Sequence, residues 1–135
     1  MTKQLTGIFL VLIWSCVMES DYDDRLTIIN RSSNAICFDY ELDTTLEVPS
    51  VNKKEYFINV RIDPGDSTTV EVSGSATQWI AEVSGARDST LSIFVFDYDQ
   101  VLKSDWDSLR SHGMYRRLDY RLEDLNRNHW RVIVE

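Results

Sequence analysis

Apolar and polar side chains alternate along much of this chain, and this alternation constrains the fold more than any other feature of the sequence. In residues 115–122, for example, the apolar positions are Leu118, Tyr120 and Leu122, and charged residues stand between them. Successive side chains of a β-strand point to opposite faces of its sheet, so such a segment predicts a strand with one buried face. We therefore expect a mainly β fold.

The same alternation predicts about seven short strands. They are residues 26–30, 35–41, 56–62, 69–73, 91–97, 115–122 and 130–135, with 79–83 as a further short candidate. The first two should form a hairpin through the polar turn 31–34, and the next two another through the Asp-Pro-Gly-Asp turn at 63–66. Residues 91–97 are apolar on both faces, which predicts a central strand that is covered twice.

Helical signals are confined to the C-terminal third. Ser104 and Asp107 resemble a capping box, and Gly113 suits the position just after a helix, so one short helix is expected between them. Residues 123–126 predict a single helical turn. The chain of 135 residues is long enough for one domain. We predict an antiparallel β-sandwich of about seven strands with one short C-terminal helix, a small barrel being the alternative.

The first 16 residues have the organisation of an export signal. Lys3 supplies a positive charge, residues 7–14 form an apolar run, and Ser15 and Cys16 follow it. A spanning helix needs about 20 apolar residues, so this run is too short to cross a bilayer. We predict a signal peptide at residues 1–15. The alternative is a short apolar core element.

The segment Leu-Ile-Trp-Ser-Cys at residues 12–16 resembles the lipobox of bacterial lipoproteins. Ile13 and Ser15 match that pattern, whereas Trp14 stands where a small or aliphatic residue is usual. The resemblance implies that Cys16 becomes the first mature residue and carries diacylglyceryl and palmitate-type acyl chains that hold the protein on the membrane. Residues 16–24 would then be the lipidated cysteine and an acidic tether, and residues 25–135 the β-sandwich domain.

An acidic stretch follows the cysteine, with carboxylates at Glu19, Asp21, Asp23 and Asp24. It resembles the export signal of Bacteroidetes lipoproteins, which implies an outer-membrane location facing the cell exterior. The alternatives are a location on the periplasmic face and a solvated tether that carries no localisation signal.

Charge limits the partners of the domain. Beyond Cys16 the chain carries 13 basic and 22 acidic residues, a net charge of −9. Such a domain repels phosphate groups, so we expect no nucleic-acid partner, and attachment to the membrane through lipid alone. With Cys16 lipidated, Cys37 has no cysteine partner, and we expect it to be a small core residue.

No catalytic or cofactor motif stands out. His112 and His129 lack ligand-spaced companions, and the acids Asp97, Asp99, Asp105 and Asp107 fail the EF-hand pattern, so we predict neither a metal nor another cofactor. These acids suit strand ends and helix caps. We expect a non-enzymatic binding or accessory domain, with a small hydrolase that uses unidentified carboxylates as the rival.

Aromatic residues offer another alternative, a glycan-binding module. A platform for sugar stacking would need exposed rings, and most of these rings should instead be core or half-core anchors. The candidates are Trp79, Trp106, Trp130, Tyr56, Tyr98, Tyr115 and Tyr120.

The C-terminal third also resembles a group of small uncharacterised Bacteroidetes lipoproteins. The similarity lies in the strand 91–97, a Trp-containing short helix at 106–110, a Tyr-Arg-Leu-Glu-Asp-Leu stretch at 120–125 and Asn-His-Trp at 128–130. The resemblance implies a lipoprotein, and it transfers no catalytic residue. For the binding domain itself, we expect a surface glycan or an envelope protein as the partner.

Overall fold

The computed structural model describes residues 21–42 and 53–135. Within these residues the chain forms six strands, five short helices and one 3-10 turn, Arg87–Ser89. The strands are β1 (Tyr22–Asn30), β2 (Ile36–Glu41), β3 (Ser67–Ser73), β4 (Thr90–Asp97), β5 (Arg116–Arg121) and β6 (Arg131–Val134). The helices are α1 (Lys53–Asn59), α2 (Gln78–Gly85), α3 (Tyr98–Lys103), α4 (Trp106–Ser111) and α5 (Leu122–Arg127).

The strands form two sheets of three strands each. In the first sheet the order is β3-β1-β6, where β1 is antiparallel to β3 and parallel to β6. In the second sheet the order is β2-β4-β5, and β4 is antiparallel to both neighbours. The predicted β-rich class is therefore confirmed.

A core of apolar side chains joins the two sheets. Leu26 and Ile28 of β1 belong to the same cluster as Leu91 and Ile93 of β4. Helices α2 and α5 add Trp79, Val83 and Leu125 to this cluster. Burial of this shared core is the main term that holds the two sheets together.

A second apolar cluster covers the other face of the second sheet. It contains Cys37 of β2, Phe94 and Phe96 of β4, and Phe57, Val101 and Leu109 from helices α1, α3 and α4. Residues 91–96 of β4 are therefore buried on both sides. The prediction of a central, doubly covered strand is confirmed.

The strand directions define two ends of the domain, which we call the Tyr22 end and the Asn30 end after the first and last residues of β1. The Asn30 amide nitrogen Nδ2 donates to the carbonyl oxygens of Asn34 at 2.8 Å and Ile62 at 3.0 Å, so β2 begins at the Asn30 end. Antiparallel pairing then brings Asp97 of β4 and Arg116 of β5 to that end. Val134 of β6 pairs with Asn30 and lies there too.

The predicted hairpin between the first two strands is wrong. β1 and β2 lie in different sheets, because the turn after β1 folds around the Asn30 side chain. Its Oδ1 accepts hydrogen bonds from Ser32 N at 3.0 Å and Ser32 Oγ at 2.7 Å, while its Nδ2 holds the start of β2. Asn30 thus directs the chain from one sheet to the other.

The predicted strand at 56–62 is also wrong, because most of it is helix α1. Phe57 is fully buried, whereas Tyr56 and Ile58 are 44% and 41% exposed, the reverse of the facing that alternation predicted. Only Ile62 keeps a strand-like contact, a single bridge to Ile36. The turn at 63–66 is confirmed, with Gly65 at a φ of +87°, but β3 pairs with β1 and not with 56–62.

Residues 79–83 form part of helix α2 and not a strand. Trp79 and Val83 are buried, and positions four apart share one face in both a helix and a strand, so their spacing could not separate the two. Ala81 lies between them in sequence and is exposed, which fits the helix. Helix α3 was not predicted at all.

Several C-terminal elements agree with the sequence. β4, β5 and β6 lie where they were predicted, and α5 occupies the predicted helical turn. Helix α4 also lies in the predicted place, but its cap is Asp105, whose Oδ1 accepts from Ser108 N at 2.8 Å. Hydrogen bonds from the side chain and the backbone N of Ser108 hold the pKa of Asp105 below its ordinary value. Gly113 follows the helix with a φ of +61°, as predicted.

The prediction of a seven-stranded antiparallel arrangement with one helix needs correction. The described residues contain six strands and five helices, and the β1–β6 pair is parallel. Of these helices, none is both long and apolar enough to cross a membrane.

Candidate functional site

Cys16, the predicted site of lipid attachment, lies outside the described residues. The first described residue is Asp21. Strand β1 begins at Tyr22, inside the predicted tether of residues 16–24. Only residues 17–21 therefore separate Cys16 from the first strand.

Asp23, one of the acids of the predicted tether, belongs to the fold. Its side chain is 2% exposed. Its Oδ2 accepts a hydrogen bond from Trp79 N at 2.9 Å, and its Oδ1 accepts one from Arg25 Nε at 2.8 Å. Because Trp79 lies in the first turn of α2, Asp23 satisfies one of the amides that a helix start leaves without a partner. The sequence implied that all acids of this stretch are solvated. In the part of the stretch that the structure describes, Asp23 is not.

A pocket of about 250 Å³ opens at the Asn30 end of the domain. Four chain segments meet there: the β1–β2 turn, the β4–α3 junction, the start of β5 and the end of β6. Buried apolar side chains form its floor, and exposed or half-buried polar side chains form its rim. The lining residues are Ser32, Asn34, Ile36, Val95, Asp97, Gln100, Met114, Tyr115, Arg116, Val134 and Glu135.

Hydrogen bonds position the polar rim of this pocket. Asn34 Nδ2 donates to Asp97 Oδ2 at 3.1 Å, and Asp97 Oδ1 accepts from Gln100 N at 3.1 Å at the start of α3. On the opposite side, the Arg116 guanidinium donates to the carbonyl oxygen of Glu135. The pocket therefore presents amide, carboxylate and guanidinium groups above an apolar floor.

The polar groups of this arrangement can donate hydrogen bonds to a ligand and accept them from it. Carboxylates and a guanidinium lie on the same rim, so the site does not select strongly for ligands of one charge. A volume of about 250 Å³ accommodates a small ligand. The Asp97 carboxylate accepts hydrogen bonds from the start of helix α3 and from Asn34, and these bonds position the rim residues.

Two larger hollows lie elsewhere on the described part of the chain. One, of about 450 Å³, lies at the Tyr22 end between the Arg87–Ser89 turn and the start of α5. The other, of about 340 Å³, lies over β3 and is lined by Tyr56 and Arg61 among others.

Cys37 is a core residue, as the sequence predicted. It is fully buried in β2, within the cluster that covers the second sheet. Burial, and to a smaller extent the negative charge of Asp97, raises the pKa of its thiol to about 12. The thiol is therefore protonated at neutral pH and is not a nucleophile.

The aromatic residues do not form an exposed platform in the described part of the chain. Trp79 is fully buried in the shared core, and Tyr98 and Trp130 are also buried. Trp106 stacks on Phe57 with ring centroids 5.0 Å apart, and Tyr115 packs edge-on against Phe94. Of the seven candidates only Tyr56 is exposed, and its neighbour Phe57 lies nearly perpendicular to it.

The histidines and the acids near the C-terminal helices do not come together as a site. His112 and His129 are exposed, and Asp97 and Asp105 cap α3 and α4, as their positions in the sequence indicated. Within residues 21–42 and 53–135, no three His, Cys, Asp or Glu side chains are grouped as metal ligands.

The pocket was not predicted from the sequence. Asp97 was considered as a member of an acidic group that fails the EF-hand pattern and as a residue suited to a strand end or helix cap, and Asn34, Gln100 and Arg116 belong to no motif. These residues become neighbours only through the pairing of β2, β4 and β5, which sequence periodicity does not reveal.

Comparison with protein-family models, with curated proteins and with solved structures found no match.

Proposed function

We propose that the protein is a membrane-anchored lipoprotein whose β-rich domain is a non-enzymatic binding or accessory module. The observation that carries the proposal is the apolar run 7–14 that leads into the lipobox-like sequence ending at Cys16. It is supported by the position of β1, which begins six residues after Cys16. A lipid on Cys16 would therefore be followed almost directly by folded domain.

In this proposal the anchor lies in the outer membrane and the domain faces the cell exterior. The acids that remain for an export signal are Glu19, Asp21 and Asp24, because Asp23 is buried in the fold. The periplasmic face is the alternative location. The two sheets would pack as a two-layer sandwich around their shared core, with the pocket at one end.

The pocket at the Asn30 end is the proposed binding site, for a surface glycan or for part of an envelope protein. One observation favours the glycan. Asn34, Asp97, Gln100 and Arg116 carry planar polar groups of the kind that bind pairs of hydroxyls, and Tyr115 lies beside them. The rival, a small hydrolase, would need a carboxylate that is free to exchange protons, and Asp97 instead caps a helix.

Metabolic labelling with an alkyne analogue of palmitate tests the anchor. Wild type and a Cys16→Ala variant are compared, and Cys37→Ala serves as the matched control because it removes the other cysteine. We expect label on wild type and on Cys37→Ala, none on Cys16→Ala, and loss of Cys16→Ala from the membrane fraction. Equal labelling of Cys16→Ala and wild type would contradict the proposal.

Protease treatment of intact cells tests the location. Cleavage of the domain from whole cells would support display on the exterior. Membrane-bound protein that is protected until the envelope is opened would assign the domain to the periplasmic face. The search for partners would then move from external glycans to envelope proteins.

A titration followed by NMR tests the pocket. Isotope-labelled protein is mixed with monosaccharides and disaccharides, and the amide shifts of Asn34, Gln100 and Arg116 are followed. Saturable shifts at these amides that are lost in Gln100→Ala, but kept in Thr77→Ala at the other end of the domain, would support glycan binding. A broad saccharide panel without such shifts would contradict it.

A further inference from the structure

The proposed lipid anchor fixes which end of the domain is close to the membrane. Asp21 already belongs to the described structure, since its carbonyl oxygen accepts a hydrogen bond from Gly74 N at 2.8 Å. Only residues 17–20 lie between Cys16 and this point. Five residue steps span at most about 18 Å even when fully extended, so the Tyr22 end cannot move far from the lipid.

The start of β1 is attached rigidly to the rest of the Tyr22 end. Asp23 binds the first turn of α2, and the Arg25 guanidinium donates to the carbonyl oxygen of Ala76. The same guanidinium lies over the Trp130 ring, 5.2 Å from its centroid. These contacts, together with the Asp21–Gly74 hydrogen bond, oppose peeling of the strand away from the domain. The anchor therefore restrains the orientation of the domain as well as its position.

The part of this end beside the start of β1 has a composition that suits contact with lipid headgroups, whereas the hollow beside α5 is lined by charged residues, among them Asp88, Arg121 and Glu123. Residues 73–77 read Ser-Gly-Ser-Ala-Thr and are exposed and uncharged, in a chain of which 27% of residues are charged. Tyr22 is 52% exposed beside them. Tyrosine is favoured where an apolar medium meets water, as at the headgroup level of a bilayer. The nearby acids Asp21 and Asp24 would disfavour an anionic surface, so a zwitterionic one is expected.

We propose that the Tyr22 end, formed by Tyr22 and residues 73–77, lies against the headgroups of the bilayer that holds the Cys16 lipid. The inference rests on the proposed lipoprotein function. β1 runs for nine residues from this end and spans about 26 Å, so Asn30 lies up to that distance farther from the membrane. The pocket at the Asn30 end then points away from the lipid, and the hollow between the Arg87–Ser89 turn and α5 faces it.

Fluorescence quenching in vesicles tests this orientation. Full-length lipidated protein in a Cys37→Ala background carries a single new cysteine, either Thr77→Cys at the Tyr22 end or Ser33→Cys at the Asn30 end. Each is labelled with a fluorophore and reconstituted into phosphatidylcholine vesicles that contain a headgroup-attached nitroxide lipid. Because the two positions lie at opposite ends of β1, which is about 26 Å long, we expect strong quenching at position 77 and little at position 33.

The controls separate this inference from the anchor itself. Intact mass reports lipid on Cys16, and its absence would overturn both proposals. Lipidated protein with equal quenching at the two positions, or more at position 33, would overturn the orientation alone. Inserting about ten glycine and serine residues between Ser20 and Asp21 should reduce quenching at position 77. Protection of position 77 from aqueous quenchers without quenching by the nitroxide would assign the surface to a second protein copy and overturn the inference.

Discussion

Asp23 shows how much a single side chain can depend on its three-dimensional surroundings. Asp21 and Asp24 lie close to it in sequence, and from the sequence alone it adds to a solvated acidic stretch. In the fold its carboxylate binds Trp79 N and Arg25 Nε, and it is almost inaccessible to water. The residue therefore ties the first strand to helix α2, and its contribution is to stability.

Replacement of Asp23 should reveal this role. Asp23→Ala leaves the Trp79 amide and the Arg25 guanidinium without their partner, and we expect the free energy of unfolding to fall by about 2 kcal/mol. Asp24→Ala is the matched control, because Asp24 is exposed, and its effect should stay within about 0.5 kcal/mol. Urea titrations monitored by tryptophan fluorescence measure both. Equal losses in the two variants would contradict the capping role.

Cys37 should make stability fall at alkaline pH. Its thiol has a pKa of about 12 in the folded protein, against an ordinary value of 9.0. Above pH 9 the unfolded chain loses this proton while the folded chain keeps it, so proton release favours unfolding. The contribution of Cys37 is therefore constant below pH 9 and declines by up to about 1.4 kcal/mol per pH unit between 9 and 12.

The comparison of wild type with Cys37→Ala isolates this contribution, because tyrosines also titrate in that range. The free energy of unfolding of wild type should decrease more steeply than that of the variant from about pH 8.5 to pH 10.5. Thiol reagents provide a second readout, and Cys37 should react only after unfolding. Parallel pH profiles together with fast labelling of the folded protein would contradict the burial of this thiol.

At the scale of elements, helix α1 shows why the alternation of apolar residues led to a wrong prediction of a strand. Tyr56, Ile58 and Val60 alternate with polar residues or with Phe57, which favours a strand. A helix of seven residues buries only one or two positions, so its period cannot be distinguished from that of a strand over so short a segment. The tertiary fold decided the outcome, because Phe57 fills the space between Phe96 and Trp106.

A pair of alanine variants distinguishes the helix from the strand. Phe57→Ala removes a fully buried ring and should lower the free energy of unfolding by about 3–5 kcal/mol. Ile58→Ala should cost far less, since Ile58 is 41% exposed. Thermal or urea unfolding gives both values. A larger loss for Ile58→Ala would restore the strand and its predicted inward face.

The elements that the sequence predicted correctly are those with a local cause. β4 was evident from its apolar length and the 63–66 turn from Pro64 and Gly65. Helix α4 was evident from Gly113 and from polar residues at its start, although its cap is Asp105 and not the predicted Ser104. The pairing of strands was not evident, because β1 finds its parallel partner β6 about 100 residues later in the chain. The pocket depends on that pairing, so its residues could not be assembled from local patterns.

At the scale of the whole molecule, the second sheet links two apolar clusters. β4 supplies Ile93 to the core shared with the first sheet and Phe94 to the cluster under helices α1, α3 and α4. Neighbouring residues of one strand thus belong to both layers. We infer that neither layer can lose its packing while the other stays intact.

Unfolding should therefore occur in one cooperative transition. Val132→Ala in the first sheet and Phe94→Ala in the second should both lower the urea midpoint of the same transition, without changing its dependence on urea concentration. Far-ultraviolet circular dichroism and tryptophan fluorescence should give coincident curves for each variant. Two separate transitions, or a variant that shifts only one probe, would contradict a single cooperative unit.

The parallel pairing of β1 with β6 also bears on the order in which the protein can be completed. β1 is synthesised early, but it is the middle strand of its sheet, and one of its two partners is Arg131–Val134. That sheet cannot close while the ribosome still holds those residues. Until β6 has left the ribosome, the nascent chain lacks one partner of β1, so an export signal ahead of β1 would be followed by a chain that is not yet folded and can still be translocated.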